Sequence, residues 1–293
     1  MADAENKIPL VEIVLNLLEV KAQGADYLGN VKSVGSGRLY GGMVMAQALN
    51  AAKSSIEDAS FKLHSYHCYF IRPGLEKEPV LYKVINRRDG NFFSNRSIEA
   101  YQNNRLIFSL SASFHKDEDM PEHMTAIQIP SRDKSLERWQ AIGLRFAERI
   151  PKEAHTFFHR KWPFEIYPID GEKLFSLENE PAKLGFWLKL VDKVTLNEQQ
   201  HKLLFSYISD LMLLQIAGLP TDFKLWQRKA MYSSLDQCIW FHRQLDVTKW
   251  LYFDVESPSY HDARGFVIGK LYSESGNFLA TVTQEGLIRS FLM

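Results

Sequence analysis

Residues 203–216, LLFSYISDLMLLQI, are apolar nearly all round and carry one carboxylate, Asp210, in their middle. At 3.6 residues per turn the run predicts a long helix in which Asp210 shares a face with Leu203, Ser206, Tyr207, Leu213, Leu214 and Ala217. Such a helix is hidden only if apolar neighbours surround its circumference, and a curved sheet wrapped round it supplies them. An earlier run, residues 41–52, predicts a comparable helix with Gln47 near its middle. Strand-like segments follow each run: residues 68–73, 81–84 and 105–114 in the first half, 239–243, 251–255 and 277–290 in the second. Arg72 to Val84 and Arg243 to Val255 span the same 12 residues, and turn signals stand at Pro73-Gly74, Asn103-Asn104 and Ser275-Gly276-Asn277. The pattern therefore predicts an α+β protein built from two repeats of a long helix wrapped by a curved antiparallel sheet.

Three units follow along the chain. Residues 1–125 form the first repeat. Residues 126–162 form a helical connector around an amphipathic helix at 131–150. Residues 163–293 form the second repeat, opening with the strand Phe164-Glu165-Ile166-Tyr167. The N-terminal apolar segment, residues 8–18, falls short of the roughly 20 residues that span a bilayer and predicts a short packed helix.

Composition narrows the partners. With 45% hydrophobic and 24% charged residues the chain has the balance of a soluble globular protein. Thirty-five basic residues offset thirty-five acidic ones, so the strong positive field that nucleic acid or an anionic membrane surface selects is not expected. A small molecule or another protein is the expected partner. Two distant cysteines, Cys68 and Cys238, make no disulfide framework, and without a signal peptide ahead of them a reducing, intracellular setting is expected.

Several familiar chemistries are excluded by spacing. HExxH is absent, and His64 and His67 have opposite strand parity, so no metal site is expected. Ser36 in Gly35-Ser36-Gly37 lacks the outer glycine spacing of a nucleophile elbow, and the same glycines fail GxGxxG because Tyr40 takes the third place. Ser234, Asp236 and His242 have the residue types of a triad but share parity along one strand and cannot converge.

Asp210 is the more informative residue. A buried carboxylate without partners costs several kcal/mol or takes up a proton, so it needs either a structural partner, such as backbone or Arg243, or a role in chemistry. Gln284 is a second polar intruder, alternating with Phe278, Ala280 and Val282. Ser234 is a third, alternating with Tyr232, Cys238 and Trp240. Each taken singly is more often a hydrogen-bonded core residue than a catalyst. Together, on three elements of one half, they are expected to line one buried polar pocket.

Six motifs in order carry a family resemblance: residues 41–49 (GGMVMAQAL), 64–74 (HSYHCYFIRPG), Arg88-Asp89-Gly90 through Arg96, Trp240-Phe241-His242-Arg243, Ala263-Arg264-Gly265-Phe266 and Gln284-Glu285-Gly286. From Leu10 to Arg289 the chain resembles the acyl-CoA thioesterase II family, least so over residues 117–200. The resemblance implies a double hotdog fold and hydrolysis of fatty acyl-CoA to free fatty acid and CoA, with no cofactor. It implies Asp210, Ser234 and Gln284 as the catalytic set, Ser234 standing where some members have Thr. Gln47, a neutral amide at the comparable place in the first half, implies one site per chain. Arg96 and Arg264 fall in family motifs and are candidates for the CoA phosphates. Phe70, Trp240 and Phe253 are candidates for an acyl tunnel.

The mechanism expected is activation of a water by Asp210, with a backbone N–H near a helix start stabilising the oxyanion. The rival readings are a hotdog-type enoyl-CoA hydratase, which would show an Asp and His pair, and a non-catalytic acyl-CoA carrier or sensor. By analogy a homodimer or larger homo-oligomer is expected. Eukaryotic members of the family include peroxisomal enzymes, which implies the peroxisomal matrix. The Ser290-Phe291-Leu292-Met293 tail lacks the Ser-Lys-Leu type of address, which leaves the cytosol open.

Overall fold

The computed structural model describes residues 8–32, 37–125, 127–134, 137–211, 213–227 and 229–291. Gly35, Ser36, Met212, Leu292 and Met293, named above, lie outside them. The first half runs α1 (Leu10–Leu18), β1 (Val20–Gln23), β2 (Asp26–Gly29), α2 (Gly41–Ser54), β3 (Lys62–Phe70), β4 (Val80–Asp89), β5 (Phe93–Gln102) and β6 (Arg105–His115). Two short helices, α3 (Trp139–Arg145) and α4 (His155–His159), occupy the connector. The second half runs β7 (Phe164–Pro168), β8 (Lys183–Leu190), α5 (Glu198–Ser209), β9 (Ala230–Ser234), β10 (Asp236–Phe241), β11 (Leu251–His261), β12 (Arg264–Ser273) and β13 (Phe278–Ser290).

The duplication is visible in the strand order. The first half orders its strands β1-β2-β4-β5-β6-β3 and the second, in mirror sequence from the other edge, β7-β8-β11-β12-β13-β10. Antiparallel pairing of β3 with β10, from Asp236 opposite Tyr69 to Trp240 opposite Ser65, joins the two into one 13-stranded sheet. Both halves thus place two strands before the helix as well as four positions after it, with β9 and β10 sharing one. This is the double hotdog expected, with α2 and α5 packed against each other inside the sheet.

Helix α2 is rich in Ala and Met, good helix formers, and is buried from Gly42 to Leu49 and again at Ala51 and Ala52. Each fully buried Leu or Met side chain contributes about 1.5–3 kcal/mol of transfer free energy. Helix α5 starts with a capping box: Asn197 Oδ1 accepts the Gln200 N–H at 2.9 Å, and Gln200 Oε1 accepts the Asn197 N–H at 2.9 Å. The short N-terminal helix forms as expected and buries Val11, Val14 and Leu18. No helix among the described residues is long and apolar enough to cross a membrane.

Two expectations are corrected. The helix predicted over 203–216 ends at Ser209; Asp210 is its C-cap, the Leu211 N–H turns back to the Ile208 carbonyl at 3.1 Å, and Leu214–Gly218 forms a separate 3-10 turn. The i→i−3 bond tightens and stops the helix, letting Leu213 and Ile216 fill the core under a different axis. The helix predicted over 131–150 is likewise broken, with only Trp139–Arg145 α-helical among the described residues. There Gly143 lies against Phe158, whose ring a Cβ would meet at 2.2 Å, and an aromatic cluster of Trp139, Phe157, Phe158, Phe175 and Trp226 replaces a solvent-facing helix.

Candidate active site

Asp210 stands where the C-terminal end of α5 meets the N-terminal end of α2. A carboxylate at a helix C-terminus is opposed by the helix dipole, whereas one at an N-terminus is favoured. Asp210 satisfies both ends at once, because its Oδ2 accepts the backbone N–H of Gly42 at 3.1 Å. Two glycines make the approach possible. A Cβ on Gly42 would lie 2.1 Å from the Tyr207 carbonyl oxygen, and one on Gly41 would lie 2.7 Å from Asp210 Oδ2. The Tyr40 hydroxyl closes the junction by donating to that same Tyr207 carbonyl at 2.5 Å.

The other carboxylate oxygen takes its bonds from the sheet. Ser234 Oγ donates to Asp210 Oδ1 at 3.1 Å, and Gln284 Nε2 donates to the same oxygen at 2.8 Å. Gln284 Nε2 also lies 3.1 Å from Ser234 Oγ. The three polar intruders therefore converge on one point from α5, β9 and β13. Burial raises the Asp210 carboxyl above its ordinary value near 3.8, and the bonds from Gln284, Ser234 and Gly42 oppose that rise.

Ser234 reaches this point by a route that strand alternation did not indicate. Ser234 pairs with Gly286 and Cys238 with Thr283, so four steps along β9 and β10 are matched by three along β13. The extra residue is a bulge, held by the Leu235 N–H on the Glu285 carbonyl (2.9 Å) and the Glu285 N–H on Asp236 Oδ1 (2.7 Å). Past the bulge the inward residues are Gln237, Ile239 and Phe241. Ser234 therefore does not share a face with Cys238 and Trp240 as expected. Asp236 and His242 stay apart from it, His242 pairing with Thr281 Oγ1 at 2.8 Å.

The bulge also brings in Gln237, which the sequence reading missed. Fully buried, its Oε1 accepts from Gln284 Nε2 at 3.2 Å, and its Nε2 donates to Ser209 Oγ at 2.7 Å. Ser209 Oγ donates in turn to the Ser206 carbonyl at 3.0 Å. The Gln284 amide thus points its two N–H bonds toward three acceptors, which fixes its orientation. Its Oε1 is buried and meets no donor among the described residues.

The remaining sequence candidates sort cleanly. Arg96 is buried and its guanidinium is taken up by Ser55, Asn86, Ser94 and backbone carbonyls, with an ion pair to Asp89 at 2.8 Å. A buried guanidinium engaged in this way ties β4, β5 and the end of α2 together, an arrangement that speaks for a structural role over the expected phosphate contact. Arg264 is half-exposed at the start of β12, 3.5 Å from Glu285. Phe70 lies at the site, its ring against Gly41 and Phe108. Trp240 is turned to the outer face against His67, and Phe253 is core packing on Phe205. Arg243 pairs with Glu122 and the Phe278 carbonyl and plays no part at Asp210. Gln47 is a structural amide, donating to the Leu17 and Asn30 carbonyls and accepting from Tyr82.

Comparison with known proteins agrees with this architecture. A family model described as acyl-CoA thioesterase matches residues 153–287, and one described as acyl-CoA thioesterase N-terminal domain matches residues 30–115. The human protein named acyl-coenzyme A thioesterase 8 is 34% identical over 261 residues, covering 86% of this chain and 81% of the relative. Acyl-CoA thioesterase 2 of Haemophilus influenzae is 29% identical, covering 94% and 96%. The crystal structure of acyl-CoA thioesterase II TesB2 from Mycobacterium marinum superposes with a TM-score of 0.76 at 28% identity, covering 94% of this chain and 98% of that one. With both halves matched and the similarity running the length of the fold, the chain belongs to the acyl-CoA thioesterase II family and is an acyl-CoA thioesterase.

Proposed function

We propose that the chain hydrolyses fatty acyl-CoA thioesters by direct attack of a water held by Asp210, Ser234 and Gln284. One observation carries this reading: Asp210 Oδ1 lies 3.1 Å from Ser234 Oγ and 2.8 Å from Gln284 Nε2, on residues drawn from three separate elements. Asp210 takes a proton from the water as the oxygen bonds to the thioester carbonyl carbon. The tetrahedral oxyanion then collapses, the C–S bond breaks, and the CoA thiolate takes the proton back from Asp210. A thiolate whose conjugate acid has a pKa of roughly 8.5 leaves readily, so no acyl-enzyme is required.

The parts have distinct roles in this reading. Raised basicity of the buried carboxylate favours proton acceptance. Gln284 Oε1, an acceptor without a protein donor among the described residues, suits the second O–H of the water. Gly41 opens α2, so its N–H has no intrahelical acceptor and stands beside Asp210 as an oxyanion donor. Phe70 offers an apolar wall for the first carbons of the acyl chain.

The test is thiol release from palmitoyl-CoA by the wild type and by Asp210→Asn, alongside acyl-CoA binding. The expected result is steady release by the wild type, a fall of at least about 10²-fold in kcat for the variant, and retained binding. Near-normal turnover by Asp210→Asn rules the assignment out. A hydratase or a carrier releases no thiol even as wild type.

A further inference from the structure

A groove of about 390 Å³ opens beside the site, between α1 and the segment that follows α4, with Tyr207 in its wall. Three cations border it: Lys32, Arg160 and Lys161. In a chain of zero formal net charge, none of the three forms an ion pair among the described residues. Arg160 instead lies over the Trp162 ring, 5.0 Å from its centroid. No carboxylate is among the described residues lining the groove: Glu12 of α1 is not part of the lining, and Asp192 accepts the Val11 backbone N–H at 2.9 Å. Three cations in a groove whose lining has no carboxylate call for an anion.

The opposite wall is apolar. Leu10, Ile13, Val14 and Leu17 line the groove at the i, i+3, i+4, i+7 spacing of one helix face. Ile13 is 37% exposed, so this row is not spent on the core alone. The seven steps from Leu10 to Leu17 make the row about 10 Å long. Tyr207, which shares the lining, is three residues before Asp210 and stacks edge-on against Tyr40 at 5.0 Å, which stacks in turn against Trp162 at 6.0 Å. The groove's lining therefore combines three cations and one apolar helix face with a residue from the last turn of α5, the helix that carries the carboxylate at its C-cap.

We propose that this groove receives the coenzyme end of the substrate, with the ribose phosphate and diphosphate at Lys32, Arg160 and Lys161 and the pantetheine arm along the α1 row. The assignment rests on the hydrolytic reading above and adds to it the residues that recognise the CoA moiety. It also replaces Arg96, whose guanidinium is consumed inside the fold, with cations that are available.

The test compares two thioesters of the same acyl group, palmitoyl-CoA and palmitoyl-N-acetylcysteamine, which lacks every phosphate. In the double variant Lys32→Glu/Lys161→Glu, KM for palmitoyl-CoA is expected to rise about tenfold or more with kcat preserved, while the N-acetylcysteamine thioester is unaffected. The wild-type KM for palmitoyl-CoA should rise with added salt, and the variant should lose that dependence. An unchanged KM for palmitoyl-CoA, or equal impairment with both thioesters, overturns the proposal. A wild type that releases no thiol from either compound instead overturns the hydrolytic reading. Calorimetric binding of CoA itself then decides the groove, weaker binding by the variant supporting it and equal binding sinking it.

Discussion

The backbone N–H of Gly42 is bonded to the carboxylate of Asp210 at 3.1 Å, joining residues 168 positions apart and belonging to different repeats. The catalytic candidate thus sits in the second half, but the first half supplies one of its three ligating bonds and sets Gly41, the first residue of α2, beside it. Duplication gives each half its own helix and sheet. The site arises only where the end of one helix abuts the start of the other.

That contact makes Gly42 a sensitive position. In Gly42→Ala the new Cβ would be 2.1 Å from the Tyr207 carbonyl oxygen, a backbone atom that cannot rotate away. The strain of such overpacking is about 1–3 kcal/mol, and relieving it must push α2 off Asp210. Expected are a lower melting temperature, by about 2–4 °C per kcal/mol, and a large loss of kcat. A calorimetric scan with steady-state kinetics checks both. A variant with wild-type melting and turnover would show that the two helix ends are not in this contact.

Gln237 is expected to act by positioning Gln284. Replacing it by Leu keeps the volume close but removes the acceptor 3.2 Å from Gln284 Nε2 and the donor to Ser209. The Gln284 amide then has one restraint fewer, and kcat should fall by roughly tenfold with KM nearly unchanged. A merely structural role would lower the melting temperature without separating kcat from KM. Combining Gln237→Leu with Gln284→Ala should add little further loss if the first acts through the second.

How much of this could be read from residues alone follows from where the local rules hold. Asp210, Ser234 and Gln284 stood out because each is polar in an apolar alternation, and burial makes that costly whatever the exact backbone path. The repeat was legible because spacing of strands survives sequence change. The helix end at Ser209 was not legible, since nothing in LLFSYISDLMLLQI breaks a helix and the cause lies in packing with α2. The bulge between Ser234 and Cys238 was equally hidden. It reverses parity beyond Leu235, turning Trp240 outward and Gln237 inward, and its determinants are the Leu235 and Glu285 backbone groups and the Asp236 side chain.

Arg96 offers a test of what a family motif residue does. Its guanidinium is buried among Ser55, Asn86, Ser94 and Asp89, and the hydrogen bonds from Ser94 and Arg96 hold the Asp89 carboxyl at about 2. Arg96→Gln leaves several of these acceptors unmatched, at a cost of about 1.5–3 kcal/mol for a bond to a charged group. The expected outcome is a lower unfolding midpoint in urea with KM for acyl-CoA unchanged. A rise in KM without loss of stability would restore Arg96 as a phosphate contact.

The burial of Asp210 has a thermodynamic signature with a definite sign. Its carboxyl is raised in the folded protein above the value near 3.9 that it takes in the unfolded chain. Between those two values the native state binds more protons than the unfolded state, so stability from this group falls as pH rises and is regained as pH drops. Wild type should therefore gain stability relative to Asp210→Asn as pH is lowered from neutral, through the folded-state value, toward about 3.9, and the difference should level off below it. Activity should move the opposite way, because proton acceptance needs the ionised carboxylate, and the acid limb of kcat against pH should lie above the ordinary carboxylate range. Paired denaturant titrations of the two proteins across this window measure the first effect, and a pH profile of thiol release measures the second. If the stability difference instead moved in favour of Asp210→Asn on acidification, the three hydrogen bonds would outweigh desolvation and the carboxylate would be an ordinary structural acceptor.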